Sequence, residues 1–142
     1  MRFYASVAGA WIGILWFFTF GVAWNLFRLF PRERAGEVTT VLFPGYFAVA
    51  IVLGGVATLA LLPHFRHSWR VRAGVAMQLL AVAALASIAL GFQPAMAAYA
   101  PGTPAFARLH AATMALNLFS LLAVPAASLL VLKRRKDRRN EG

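Results

Sequence analysis

The chain has 142 residues, no cysteine and a formal net charge of +10. Hydrophobic residues make up 61% of it and charged residues 13%, whereas soluble domains are closer to half apolar and about a quarter charged. This composition excludes a disordered basic chain and disfavours a soluble globular fold. The lack of cysteine excludes disulfide bonds, thiolate metal sites and a thiol nucleophile.

Four long runs without charged side chains predict four membrane-spanning helices. The hydrocarbon core of a bilayer is ~30 Å thick and a helix crosses it with about 20 residues, a length that each run reaches. We expect helices at about residues 4–27, 42–62, 73–92 and 104–132. Because backbone groups in lipid must find partners within the protein, the predicted fold class is all-α, an integral membrane four-helix bundle formed by residues 1–132.

Prolines and aromatic residues refine the ends of these spans. Thr103 and Pro104 are typical of an N-cap followed by the first helical residue, so the fourth helix is expected to start there. Residues 29–40 are polar enough to leave the membrane, and Pro31 could open a short helix at the interface. The first run has bulky aromatic residues where a signal peptide has a small-residue cleavage site, so we expect the mature protein to keep it.

The distribution of basic residues predicts the orientation. Ten of the 14 Lys and Arg residues lie in the N-terminus, the second connection and the tail at 133–142. The positive-inside rule therefore places both termini in the cytoplasm, N-in and C-in. The basic tail directly follows a span and has no aromatic residues to stack on bases, so we expect it to contact anionic lipid headgroups and not nucleic acid. The prevalence of Ala, and of Arg over Lys, suggests the inner membrane of a bacterium.

Small residues recur at a four-residue spacing in every predicted span. Helices in lipid approach one another closely at such positions, so the pattern favours a compact bundle, although a glycine-lined pore would use the same residues. The stripes are Ala5, Gly9 and Gly13 in the first span, Ala50, Gly54 and Thr58 in the second, Ala83, Ser87 and Gly91 in the third, and Ala111 with Ala115 and Ala123 with Ala127 in the fourth. Gln78, near the cytoplasmic end of the third span, is expected to hydrogen-bond a partner helix.

Most other polar side chains fall at the non-cytoplasmic end of the spans. Counting about 20 residues back from Leu132 places His110 near the far interface, with Asn117 ~7 Å deeper. His110, Thr113 and Asn117 share one helical face because they follow one another at spacings of three and four. The candidate polar cluster consists of Asn25, Arg28, Arg32, Glu33, Glu37, Arg108, His110, Thr113 and Asn117. It is either a binding site, in which Arg28 and Arg108 offset the two carboxylates, or a set of hydrogen bonds and snorkelling side chains that only hold the helices.

A metal or redox site has weaker support. His110 and Met114 stand at i and i+4, a spacing that can present two ligands to soft copper(I), and Met96 could add a third. Haem with two histidine ligands would need a second histidine within the spans. A proton relay would need acidic residues within the spans, and all four acidic residues lie outside them. Motifs for hydrolysis, phosphate loops and dinucleotide binding are missing, so we expect no cofactor and favour a protein that is not an enzyme.

Two segments resemble a known family. They are Phe106-Ala-Arg108-Leu109-His110 with Thr113 and Leu116-Asn117-Leu118, and Phe18-Thr19-Phe20 with Leu29-Phe30-Pro31-Arg32, Gly36-Glu37 and Leu42-Phe43-Pro44-Gly45-Tyr46-Phe47. The pattern resembles the transmembrane protein 205-like family, also described as domain of unknown function 4149. The resemblance implies a small four-span membrane protein without an established activity. It also adds Tyr46 to the candidate cluster as a signature position.

The leading hypothesis is a membrane protein that works without catalysis through this cluster at the outer leaflet. One alternative is a metal- or redox-handling protein that uses His110 with Met114 or Met96. Another is a small-solute carrier formed by an oligomer, since four helices enclose little volume. The expected partners are the bilayer and either a second copy of the chain or another membrane protein.

Overall fold

The computed structural model describes residues 1–140, except for the side chains at positions 67 and 134–140. This part of the chain is helical and contains no strand, which confirms the all-α class. Four helices in it are long and apolar enough to cross a membrane. They are α1 (Arg2–Leu29), α2 (Arg32–Leu61), α3 (Trp69–Ala97) and α4 (Pro104–Asn140). The side chains of the predicted basic tail from 134 onward lie outside the described part.

Two of the helices contain a wider turn. α1 is π-helical at Phe17–Ala23, and α3 is π-helical at Ile88–Phe92. A π-helical turn places one extra residue in the turn, so it rotates the side chains that follow, and such turns are frequent at functional sites. Both segments lie in the same half of the bundle, because each is in the later part of a helix that runs away from the N-terminus. A 3₁₀ turn at Leu62–His67 ends α2.

Local signals explain where α3 and α4 begin. The Ser68 hydroxyl accepts a hydrogen bond from the backbone N–H of Arg70 at 3.3 Å, which caps α3. The Thr103 hydroxyl accepts from the N–H of Phe106, also at 3.3 Å, and so confirms the predicted start of α4 at Pro104. Gly102 precedes this cap with φ +91°, a conformation that favours glycine.

The start of α2 differs from the sequence expectation. Residues 29–40 were expected to leave the membrane, with Pro31 opening a short helix at the interface. A helix does begin directly after Pro31, at Arg32, but it is the start of α2 and continues through Pro44 without interruption. Pro31 is extended at φ −54° and ψ 146°, and the Thr39 hydroxyl bonds the Ala35 carbonyl at 2.9 Å within the first turns. The charged side chains of these turns are exposed, so the polar segment is the projecting end of a long helix. α3 likewise extends beyond the predicted 73–92 at both ends.

The chain path defines two halves of the bundle. α1 and α3 run away from the N-terminus, and α2 and α4 run back. We call the half with the N-terminus and the connection at 62–68 the proximal half. The half with the connections at 30–31 and 98–103 is the distal half. The sequence expectation places the proximal half at the cytoplasmic face.

The helices pack most closely where glycine meets a large side chain. A β-carbon on Gly54 of α2 would lie 2.6 Å from Trp11 of α1 and 2.6 Å from Val82 of α3. A β-carbon on Gly74 of α3 would lie 2.5 Å from Val131 of α4. Neither position has room for a side chain, so these two glycines set the distances between the helix axes.

The outer surface of the bundle exposes many large hydrophobic side chains, among them Val41, Leu90 and Leu129. Contiguous apolar surface on this scale is rare on soluble monomers, whereas lipid would cover it without cost. Together with the four long apolar helices, this surface is that of an integral membrane protein.

The small-residue stripes divide between the interior and the surface. Ala50, Gly54 and Thr58 of α2, and Ala123 and Ala127 of α4, are buried as predicted. The stripe of α1 points outward instead, since Gly9 and Gly13 are exposed and a β-carbon on either would contact nothing within 4 Å. The stripe of α3 and the first pair in α4 are also exposed at Ala83, Ser87, Gly91, Ala111 and Ala115.

Candidate functional site

A hydrogen-bonded network in the proximal half joins all four helices. The Gln78 amide nitrogen of α3 donates to the Tyr4 hydroxyl of α1 at 2.7 Å. Tyr4 in turn donates to the Ser128 hydroxyl of α4 at 3.3 Å, and the Thr58 hydroxyl of α2 donates to the Gln78 carbonyl oxygen at 3.4 Å. All four side chains are buried. We call these residues the proximal network.

Each member of the proximal network has a partner inside the bundle. The Ser128 hydroxyl donates to the Val124 carbonyl at 2.8 Å. The single hydrogen of the Thr58 hydroxyl is shared between the Gly54 carbonyl at 2.8 Å and the Gln78 carbonyl oxygen at 3.4 Å. A buried polar group in lipid is costly unless it is bonded, and here every one is. The proximal network therefore acts as a structural cross-link that fixes the register of the four helices.

A second cluster in the distal half joins three helices. The Tyr46 hydroxyl of α2 donates to the Asn117 carbonyl oxygen of α4 at 3.2 Å, and the Asn117 amide nitrogen donates to the Thr19 hydroxyl of α1 at 3.3 Å. The Phe18 ring stacks on the Tyr46 ring with their centroids 4.0 Å apart. Thr19 and Phe18 both belong to the π-helical turn of α1. We call Thr19, Tyr46 and Asn117 the distal cluster.

Two buried polar atoms in the distal half have no hydrogen-bond partner. Among the described residues, the buried atoms without a partner are Trp11 Nε1, His64 Nδ1, Gln93 Nε2 and Thr113 Oγ1. Gln93 and Thr113 lie in the distal half. Thr113 is one turn from Asn117 on α4, and only 9% of its surface is exposed.

The environment of Thr113 differs from that of the other buried hydroxyls. Those on Thr39, Thr58, Ser120 and Ser128 each donate to the carbonyl oxygen one turn earlier in their own helix, at 2.8–3.0 Å. Thr113 makes no such bond to its own helix. Leaving a buried hydroxyl unpaired costs about 1–3 kcal/mol, so the structure holds an unfavourable group at this point.

The two unpaired groups lie as many residues along their helices from the proximal network as Thr19 does. Thr19, Gln93 and Thr113 each lie about four helical turns, or about 22 Å, from the member of the proximal network on the same helix. The hydrogen bond between Asn117 and Thr19 places Thr19 beside Asn117, and Thr113 lies one turn further along α4. The distal half therefore holds a polar layer that is only partly paired.

Comparison with known proteins adds a family. The family described as domain of unknown function (DUF4149) matches residues 6–101, more than half of the chain. The chain belongs to the DUF4149 family. The matched segment contains Thr19, Tyr46, Gln78 and Gln93 but ends before α4, so the segment at 106–121 that carried part of the resemblance lies outside it.

One curated relative of this DUF4149 chain is an uncharacterized protein of Aquifex aeolicus (strain VF5). It is 41% identical over 46 residues, which are 32% of this chain and 35% of the relative. The chain thus matches about a third of that protein's length. No solved structure matches the chain.

The DUF4149 chain assembles only part of the candidate cluster that the sequence singled out. Tyr46 and Asn117 are hydrogen-bonded to each other, and Thr113 lies one turn away. The Asn25 amide nitrogen donates to the Gly21 carbonyl of its own helix at 2.8 Å, so this bond does not connect Asn25 to another helix. Arg28, Arg32, Glu33, Glu37, Arg108 and His110 are exposed.

The charged members of that list remain separate. Among the side chains that the structure describes, Glu33 and Glu37 form no ion pair with Arg28 or Arg108, so the expected offset of charge is not made by direct contact. These side chains are exposed at the end of α1, the start of α2 and the start of α4. Headgroups and water would solvate them there.

The weak metal candidates do not converge on one enclosed site. His110 and Met114 are exposed on α4, and the His110 ring stacks on Phe106 at 5.9 Å. Met96 of α3 is buried. Among the described residues, no group of three or more His, Asp or Glu side chains could hold a metal ion.

The sequence interpretation quoted Thr19 only as part of the family resemblance and did not select Gln93, whereas its expectation that Gln78 hydrogen-bonds a partner helix is confirmed. Thr19 sits between two phenylalanines in an aromatic run, where a single hydroxyl gives little signal. The informative signal was the equal spacing of Tyr4 to Thr19, Gln78 to Gln93 and Thr113 to Ser128. It acquires meaning only once the register of the four helices is known.

Proposed function

We propose that this DUF4149 protein is a transmembrane protein 205-like protein of the bacterial cytoplasmic membrane, with both termini in the cytoplasm. The proximal side of the bundle carries ten of the 14 basic residues, which supports this orientation by the positive-inside rule. The basic tail contacts anionic headgroups on that face.

The lack of cysteine makes this orientation directly testable. Tyr99→Cys in the distal connection and Arg66→Cys in the proximal one each introduce a single exposed thiol. In intact cells, a membrane-impermeant maleimide is expected to label Tyr99→Cys, whereas Arg66→Cys should react only after permeabilisation. The reverse pattern would refute the proposed orientation.

We further propose that the protein is a binding protein and not an enzyme, and that its distal half takes up a small ligand from the membrane. The observation that carries this proposal is the buried, unpaired hydroxyl of Thr113 beside the distal cluster. Natural proteins rarely retain an unpaired buried group, and they retain it chiefly where function needs it. The fully bonded proximal network supplies the rigid frame for such a site.

Thr113→Val separates a binding role from a structural one. Valine has nearly the shape of threonine but lacks the hydroxyl, so the empty protein should keep its stability or gain about 1 kcal/mol. Adding an extract of host-membrane lipids to the delipidated parent should raise its Tm, because a ligand that binds only the folded state stabilises it. In Thr113→Val this increase should be lost. Thermal unfolding in detergent, followed by circular dichroism, measures both effects.

Thr39→Val is the matched control. Its hydroxyl is also buried but is bonded to the Ala35 carbonyl, so its loss should cost up to about 1 kcal/mol and leave the lipid response intact. If Thr113→Val destabilises the empty protein, or responds to the extract as the parent does, Thr113 is part of the structural packing and the proposal fails.

A further inference from the structure

A lateral groove opens between α3 and α4 in the distal half. It has a volume of about 320 Å³ and is lined by Ser87, Gly91, Phe92, Ala95 and Leu109. Ser87 and Gly91 are exposed, and a β-carbon on Gly91 would contact nothing within 4 Å. The groove therefore opens on the outer surface of the bundle, which lipid covers in a membrane.

The groove runs from the distal connection toward the middle of the bundle. Ala95 and Leu109 mark its outer end, because each lies within two turns of the connection at 98–103. Ser87 marks the inner end, eight residues before Ala95 and so roughly 12 Å from it along α3. The hydrocarbon of one leaflet is ~15 Å deep, half of the ~30 Å core. The groove thus has the direction of an acyl chain in the distal leaflet and most of that chain's depth.

The walls of the groove fit a hydrocarbon chain. None of the five lining residues is charged. The Ser87 hydroxyl already donates to the Ala83 carbonyl at 2.8 Å, so it does not need a partner from outside the protein. An occupant would therefore gain apolar contact here, whereas a polar solute would lose its hydrogen bonds.

Arg108 supplies a positive charge beside the outer end of the groove. It directly precedes Leu109 and is exposed. Nine residues, about two and a half turns, separate it from Asn117, so the two side chains point in opposite directions from α4. Asn117 bonds Thr19 of α1 inside the bundle. Arg108 therefore points to the outside, next to the residue that closes the groove.

The guanidinium of Arg108 is available to a lipid phosphate. Among the side chains that the structure describes, Arg108 has no carboxylate partner. A guanidinium can bind a phosphate through two parallel hydrogen bonds that both carry charge. Because Arg108 is not part of the groove wall, a phosphate that it binds lies outside the groove at the headgroup level, and the attached chain can extend inward.

We propose that the groove and Arg108 form a binding site for one phospholipid of the distal leaflet. One acyl chain lies in the groove along Gly91 and Leu109, and the Arg108 guanidinium holds the phosphate. The site is on the outer surface and does not include the buried Thr113 hydroxyl. It is therefore additional to the proposed binding function and does not depend on it.

Binding of two radiolabelled lipids to the purified full chain in detergent tests this site. Dipalmitoylphosphatidylglycerol carries the phosphate, and dipalmitoylglycerol has the same chains without it. We expect the parent to bind the phospholipid saturably and dipalmitoylglycerol about tenfold more weakly, since only the phospholipid can form a charge-assisted bond to Arg108.

Two arginine variants test the headgroup part of the site. Arg108→Gln should weaken phosphatidylglycerol binding by about tenfold and leave dipalmitoylglycerol binding unchanged. Arg34→Gln removes another exposed arginine of the distal half, from α2, which does not line the groove, and should leave both lipids unaffected. Both variants keep the basic side chains of the proximal half, so lipid bound there contributes equally.

Two open glycines test the groove itself. Gly91→Leu fills the groove and should weaken both lipids by about tenfold or more, since the acyl chain loses its apolar contact. Gly9→Leu adds the same side chain at an equally open position on α1 and should leave the binding of both lipids unchanged.

Any of four results would overturn the proposal. They are equal affinity of the parent for the two lipids, unchanged phosphatidylglycerol binding in Arg108→Gln, the same loss in Arg34→Gln as in Arg108→Gln, and unchanged binding in Gly91→Leu. Disulfide cross-linking of Gly91→Cys chains in membranes would place a second copy in the groove and would also overturn it. These titrations measure bound lipid, whereas the Thr113→Val comparison measures a Tm, so failure of one site is distinguishable from failure of the other.

Discussion

Gly54→Leu is expected to destabilise the bundle by about 3 kcal/mol, the upper range for inserting atoms into a packed core. The leucine β-carbon alone would lie 2.6 Å from the indole of Trp11 and 2.6 Å from Val82, and its further atoms have no space. Trp11 is fully buried, so its ring cannot move aside without separating α1 from α2. Gly54→Ala should also destabilise the bundle, but by a smaller amount.

The neighbouring glycine is the control for this prediction. A β-carbon on Gly55 would contact nothing within 4 Å, so Gly55→Leu meets no obstacle and gains up to about 1 kcal/mol in helix propensity. SDS titration in mixed micelles, followed by circular dichroism, should show the two variants on opposite sides of the parent. Equal effects of the two substitutions would mean that the three helices do not meet at Gly54.

The number and type of the helices could be predicted from the sequence because lipid imposes a strong constraint. A segment without charge that is long enough to cross a bilayer has few alternatives to a helix. The first and last residues of the helices were harder to predict from the sequence. Arg32 and Glu37 favoured a separate interfacial segment before the second span, yet one helix runs through both because its hydrogen bonds are internal and do not depend on lipid.

Which face of each helix points into the bundle could not be predicted from hydrophobicity. In a soluble protein a polar stripe marks the outer face, but here the outer face is apolar too. Gly9 and Gly13 form as regular a stripe as Ala50 and Gly54, and the structure exposes the first pair and buries the second. Spacing shows which residues share a face, and only the packing shows where that face points.

The candidate site was predictable to the extent that it depends on depth. Asn117 and Thr113 were found by counting turns along α4, and Tyr46 came from the family resemblance. Thr19 and Gln93 required the π-helical turns, which change the direction of the following side chains and leave no clear pattern in the sequence. Exposed charges such as Glu33 and Arg108 were grouped with them by depth alone, although they face outward.

Gln78→Leu is expected to lower the free energy of unfolding by about 2 kcal/mol, since it removes the residue that links α1, α2 and α3. Gln78 is fully buried, and its amide holds both the Tyr4 hydroxyl and the Thr58 hydroxyl. Combining Gln78→Leu with Tyr4→Phe should cost less than the two single losses added together, by about 1 kcal/mol, because each substitution breaks the same bond.

Gln93→Leu applies the identical substitution to the same helix, about four turns further on. Its amide nitrogen is buried without a partner, so leucine should leave the stability of the empty protein unchanged or raise it. Equilibrium unfolding of both variants under one set of conditions makes the comparison. A loss of unfolding free energy at Gln93 as large as that at Gln78 would show that both amides are structural. The Gln93 amide would then give no support to a binding site in the distal half. A gain at Gln93 beside a loss at Gln78 would show that only the proximal amide stabilises the bundle, as the proposed binding role of the distal half requires.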